Sequence, residues 1–185
     1  MDQKHNEARK LYENIKKHAG SAAAEKIAFG MDLPLSPTKA EKNEWVNFIS
    51  MELEKSFDDG TIKKIRTGCH CTEKLDEAKE FIKNTFNYSN SLTDFVDKMN
   101  AYSVGWSIKD GYLITKYLSC PCPMLEGVDF LPTKAWCYCT VGYNKKIFQY
   151  VFDCEVDIEL LESIKMGSNQ CLMKIIPLGN INFPG

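Results

Sequence analysis

Cys69-His70-Cys71, Cys120-Pro121-Cys122 and Cys137-Tyr138-Cys139 gather six of the chain's eight cysteines into three Cys-x-Cys pairs. Random placement would give about 0.3 such pairs, so the excess calls for a physical cause. One cause is a metal. Thiolates hold zinc or iron–sulfur centres, and four converging sulfurs complete a tetrahedral site. Cys120 and Cys122 fall at the end of a predicted strand, and Cys137 and Cys139 just before a predicted helix. A sheet end beside a helix start can bring two such pairs together. Cys120, Cys122, Cys137 and Cys139 are therefore the first ligand set for zinc, with an iron–sulfur cluster as the alternative metal centre. Cys69 and Cys71 are the reserve pair, joining if the centre is polynuclear. The spacing is not the C-x₂-C of zinc ribbons. In an extended strand, residues i and i+2 stand about 6.5–7 Å apart, whereas sulfurs sharing a zinc sit near 3.8 Å, a distance set by Zn–S bonds of about 2.3 Å. Each pair needs a turn, and Pro121 and Pro123 restrict which turn is available.

A second cause is thiol reactivity. Cys137 and Cys139 precede a helix whose N-terminus favours a thiolate. A nucleophile there wants a base, and of three histidines only His70 lies beside a cysteine pair. It can be read as base, ligand or an exposed residue at a helix end. The plain alternative is that a cysteine thiol is a small, commonly buried hydrophobe, which is the expectation for Cys154 and Cys171. Trp45, Trp106 and Trp136 read as core. The strict alternation of Glu155-Val156-Asp157-Ile158-Glu159 marks the carboxylates as the solvent face of a strand rather than acid–base catalysts. No Gly-rich phosphate loop, G-x-S-x-G elbow or H-E-x-x-H helix occurs.

The elements that must position these thiols change character along the chain. Ala8, Leu11, Tyr12, Ile15 and Ala19 recur at helical spacing over 6–19, and 21–29 reads as a second, short helix. Ser36-Pro37 is a helix start with Pro at its first position, followed by the stripe Trp45, Ile49, Leu53 and Phe57. Asp58-Asp59-Gly60 interrupts it, and a short helical piece leads into Cys69. Thr72 is the expected cap of the next helix and Ser91 of the one after. Beyond Asn100 strands take over. Asp110-Gly111 between Trp106–Lys109 and Tyr112–Thr115 is a hairpin signal, because both turn residues tolerate positive φ. A helix is predicted over 140–152, then strands over 156–160 and 171–176. The predicted fold is α+β: one domain, 1–185, with a mainly helical part (1–100) and a part (101–185) bearing an antiparallel sheet of about four strands with helices on one face.

At 185 residues, 26% charged and a net charge of −2, the chain has no global pull toward nucleic acid. Lys63-Lys64-Ile65-Arg66 reads as a solvated helix face. The first 20 residues carry no secretory signal and no run suits a membrane span. A cytoplasmic protein is expected, where thiols stay reduced. The expected partners are a small-molecule ligand and a second copy in a homodimer, with neither nucleic acid nor membrane.

The C-terminal stretch Val156-Asp157-Ile158-Glu159-Leu160-Leu161-Glu162-Ser163-Ile164, then Met166-Gly167-Ser168-Asn169-Gln170-Cys171-Leu172-Met173-Lys174-Ile175, resembles the closing hairpin of four-vinyl-reductase-like domains. It is also similar to that of the bacterial L-2-amino-thiazoline-4-carboxylate hydrolase family. Ser168 stands where those families usually have Asp, and Leu172-Met173-Lys174 lacks their usual aromatic residue. Upstream, the Cys-x-Cys-Pro and Trp-Cys-x-Cys segments look like a cysteine-rich branch of that superfamily. The resemblance implies an α+β small-molecule-binding fold with a pocket between helices and sheet, sometimes with zinc, and transfers no catalytic residue. Three functions follow: a small-molecule- or metal-binding domain, a hydrolase of a small cyclic C–N or C–S substrate on the resemblance alone, or an interaction module with structural cysteines.

Overall fold

Capping chemistry and apolar spacing set the helices. The computed structural model describes residues 5–184. α1 (Asn6–Ala19) buries Ala8, Leu11 and Ile15, and gives way at Gly20, whose φ of 85° suits glycine. α2 (Ser21–Ala28) follows at once. α3 (Lys39–Ser56) starts two residues later than Ser36-Pro37 predicts, because Thr38 and Glu41 form a reciprocal capping box. The Glu41 N–H donates to Thr38 Oγ1 at 3.2 Å, and the Thr38 N–H to Glu41 Oε2 at 2.7 Å. Two satisfied donors outweigh a preset proline φ. Asp58 caps α4 (Asp59–Gly68), accepting from the Thr61 N–H at 3.0 Å.

The expected cap at Thr72 is displaced. α5 (Leu75–Asn87) begins after Lys74, which has a left-handed φ of 55° and no side-chain cap bond. α6 (Leu92–Asn100) starts as predicted, Ser91 Oγ accepting from the Asp94 N–H at 3.2 Å. β1 (Ser107–Lys109) and β2 (Tyr112–Tyr117) are joined by Asp110 and Gly111, both at positive φ, 52° and 78°. α7 (Tyr138–Phe152), β3 (Val156–Glu162) and β4 (Cys171–Pro177) complete the chain.

The fold is α+β, with a helical N-terminal half and one antiparallel four-stranded sheet in the order β1-β2-β4-β3. Leu113 faces Ile175, Thr115 faces Met173, and Ile158 faces Ile175. These residues are buried on one face. Their polar neighbours Asp157 and Glu159 alternate with them, as the sequence predicts.

The chain forms two units, each drawing on several segments. The first comprises the described residues up to His70 together with Pro121–Gly142 and Lys165–Gly167. Its centre is Trp45 against Trp136, edge to face at 5.5 Å and 81°, with Ile49, Leu53, Ile62 and Ile65 buried. The second comprises Cys71–Cys120, Tyr143–Ile164 and the described residues from Ser168. It holds the sheet, and its aromatic cluster includes Phe86, Phe95, Trp106, Phe148 and Phe152.

Candidate functional site

Arg66 is the residue around which the first unit's chemistry is arranged. On α4 and at its C-cap, Ile62, Ile65, Arg66 and Cys69 recur at three- and four-residue spacing and are all buried. Arg66 is 1% exposed, so the expectation of a solvated basic face holds for its exposed neighbour Lys64 but not for Arg66 itself. Its Cζ lies 3.9 Å from the centroid of the Trp136 ring, and Nη2–H donates to the Trp136 carbonyl at 3.4 Å. Nε has no hydrogen-bond partner.

No carboxylate forms an ion pair with this guanidinium among the described residues. Glu7 acts from a distance and is itself paired with Lys10 at 3.0 Å. The other ionisable groups in its field are three thiols, Cys69, Cys139 and Cys122. Cys69 follows the end of α4, and its Sγ–H points to the Ile65 carbonyl at 3.4 Å. Cys139 lies in the first turn of α7, its Sγ–H donating to the Cys69 carbonyl at 3.3 Å. The two backbones press closely here: a Cβ on Gly142 would come 2.1 Å from the Thr67 carbonyl oxygen. Cys122 leads into the 3₁₀ turn Pro123–Leu125. The Trp136 Nε1, without a nitrogen or oxygen partner, faces its sulfur.

Burial dominates the electrostatics of all three thiols. It pushes Cys139 up to about 12 and raises Cys69, and Arg66 pulls against it in both cases. Burial also raises Cys122, opposed by the Trp136 indole and the N–H groups of Met124 and Leu125. For Arg66, burial works against the charge, but the attraction of Cys69, Cys139, Glu7 and Cys122 in their ionised forms outweighs it, so that the guanidinium stays above its ordinary value. An arginine cannot shed its proton in a protein. The site therefore contains a permanent cation enclosed by groups that are neutral thiols until something draws their protons off.

The three Cys-x-Cys pairs are each divided. Cys69, Cys122 and Cys139 share the first unit and the electrostatic field of Arg66, whereas Cys71 and Cys120 belong to the second unit, both half-buried. Cys137, 8% exposed, closes the short 3₁₀ turn Ala135–Cys137 in the first unit. None of the pairs lies in a strand. Cys137 and Cys139 lie in helical turns, where residues i and i+2 point about 200° apart; the other two pairs lie in loops outside any helix or strand. All eight cysteines are thiols rather than disulfides. Among the described residues, no three or more His, Cys, Asp or Glu side chains are spaced as ligands of one metal ion. His70 Nδ1 lies 3.2 Å from the Thr67 carbonyl oxygen.

The sequence matches the family described as "Family of unknown function (DUF6144)" over residues 1–182. The chain belongs to DUF6144. No curated protein and no solved structure matches it.

In this DUF6144 chain Cys154 and Cys171 lie in the second unit, apart from the arginine site. Cys171, at the start of β4, is buried and accepts from the Ile164 N–H at 3.4 Å; Cys154 is half-buried in a bend rather than a strand. A surface cleft of about 410 Å³ opens on α5 and α6, lined by Phe81, Asn84, Tyr88 and Tyr102 among others. Its cation, Lys98, is paired with Asp94 at 2.7 Å. Among the described residues no helix is long and apolar enough to cross a membrane.

Proposed function

We propose that this chain is a metal-binding domain of the thiolate type, working in a reducing compartment such as the cytoplasm, with its guest held in the first unit among Cys69, Cys122 and Cys139. The supporting observation is Arg66, a fully buried guanidinium without a carboxylate partner. A buried charge lacking a counter-ion costs several kcal/mol. Thiolates gathered on a metal carry net negative charge, so loading the site supplies the missing counter-ion. The same binding strips protons from thiols that burial keeps neutral. A free nucleophilic thiolate is a poorer reading, because the sulfur nearest a helix start, Cys139, is 7% exposed and held far from ionisation.

The test is metal analysis of the chain purified without oxygen or chelator. A near-stoichiometric content of a thiophilic metal is expected, falling to background in a Cys69→Ser, Cys139→Ser double variant. Metal at trace level in the unaltered chain, before and after incubation with thiophilic metal salts, would sink the reading.

A further inference from the structure

The cleft on α5 and α6 belongs to the second unit and has no part in the sulfur site of the first. Its volume of about 410 Å³ is that of a binding site. Three aromatic side chains line it and are notably bare: Phe81 is 43% exposed, Tyr102 60% and Tyr88 82%. Exposed apolar residues scattered singly are ordinary, but three sharing one cleft mark a contact surface. Phe81 and Tyr102 meet edge to face at 4.9 Å, so they act as one platform rather than two loose rings.

Charge narrows the guest. Lys98, the cation in the cleft wall, is met by Asp94 at 2.7 Å and by the Tyr88 carbonyl. An anionic guest would have to displace Asp94, and a cationic one would face an ammonium. The guest is uncharged where it touches the cleft.

Spacing narrows it further. Phe81 and Tyr88, the C-cap of α5, are seven residues or two turns apart, which sets them about 10.5 Å apart along the helix axis. A polyproline II helix repeats every three residues, about 9.3 Å per turn. Two proline rings one turn apart then meet the Phe81–Tyr102 platform and the Tyr88 ring. The exposed carboxamide of Asn84 lies between Phe81 and Tyr88 in the chain and lines the same cleft. It can donate to the carbonyls of such a guest, which have no internal partners. An α-helix also repeats at this length, but its carbonyls are already bonded and leave Asn84 unanswered.

We infer that this cleft binds an uncharged, proline-rich segment of another protein in the polyproline II conformation, with prolines one turn apart on Phe81–Tyr102 and on Tyr88. Such a segment is ordered before it docks, so a small aromatic cleft suffices to hold it.

The whole chain is titrated with an uncharged, end-capped peptide of Pro-Pro-Ala repeats, followed by calorimetry and by amide NMR shifts. The comparison ligands are an uncharged helical peptide with leucines seven residues apart and the neutral sugar cellohexaose. Saturable binding of the proline peptide is expected, with shifts centred on Phe81, Asn84, Tyr88 and Tyr102. Tyr88→Ala and Tyr102→Ala should each weaken it by about tenfold, and Leu118→Ala, 75% exposed elsewhere in the same unit, should not. No binding of the proline peptide overturns the inference. Equal or tighter binding of the helical peptide or the sugar overturns it too, as does full affinity in a Tyr88→Ala, Tyr102→Ala double variant. The shifts in the unaltered chain decide the site even if a variant fails to fold.

Discussion

The guanidinium of Arg66 lies over the Trp136 indole with Cζ 3.9 Å from the ring centroid, and Trp136 in turn meets Trp45 edge to face at 5.5 Å. The first unit is thus built around a cation in an apolar, sulfur-rich interior. Removing that cation has opposite effects on stability and on binding. Arg66→Met is expected to leave the melting temperature of the metal-free chain unchanged or higher, since replacing buried ionic groups with apolar ones is often neutral or stabilising by about 1–4 kcal/mol. The same variant should retain metal less well. A marked drop in melting temperature would mean that Arg66 is already compensated in the empty site.

Gly142→Ala puts a helix-favouring residue into α7, which in an open position would gain about 1 kcal/mol. Here the new methyl would lie 2.1 Å from the Thr67 carbonyl oxygen, and backbone atoms give way poorly. A loss of about 2–3 kcal/mol is expected from overpacking. Urea denaturation of the two proteins reads it directly.

Native alkylation should divide the thiols. Cys71, Cys120 and Cys154 are half-buried and should react first, and Cys69, Cys137, Cys139 and Cys171 should lag because they are buried. Burial also keeps Cys69 and Cys139 from forming the reactive thiolate at neutral pH. Mass mapping after brief iodoacetamide exposure checks the order. Equal labelling of Cys139 and Cys154 at early times would contradict the burial described.

Tyr117 supplies a pH test in the second unit. Its hydroxyl donates to Asn144 Oδ1 at 2.9 Å, and burial raises the phenol from 10.0 to about 12, with Tyr143 and Cys171 adding to the rise. A raised folded value for an acid means that the neutral form favours the fold. That contribution is complete below pH 10 and is lost as pH climbs toward 12. Between those limits the unfolded chain has released the proton and the folded one has not, so stability falls by about 1.4 kcal/mol per pH unit. Tyr117→Phe should remove this part of the slope in denaturation curves taken between pH 9 and 12.

The fold was legible where a residue's local chemistry decides its conformation. Ser91 caps α6, and Asp110-Gly111 turns the hairpin, because each acts through its own backbone. Ser36-Pro37 and Thr72 misplaced helix starts because stronger local alternatives lay within a few residues, the Thr38–Glu41 box and the left-handed Lys74. The cysteine pairs pointed to sulfur chemistry, but treating each pair as a unit assumed that both members face one way. That holds in a strand and fails here, where Cys137 and Cys139 sit in helical turns and the other two pairs in loops. Arg66 was hidden by its basic neighbours, although its four-residue spacing from Ile62 and three-residue spacing to Cys69 put it on the apolar face of α4. What surrounds it depends on segments some 70 residues away, as the contacts of Arg66 with Trp136 and of Cys69 with Cys139 show, and no local pattern carries that information.

The order β1-β2-β4-β3 sets β4 between β2 and β3, though it is the last of the four in sequence. Until Cys171–Pro177 leaves the ribosome, β2 and β3 have no common partner. The nascent polypeptide must therefore shield two open edges late in its synthesis, and a premature stop before Cys171 would release a product prone to self-association.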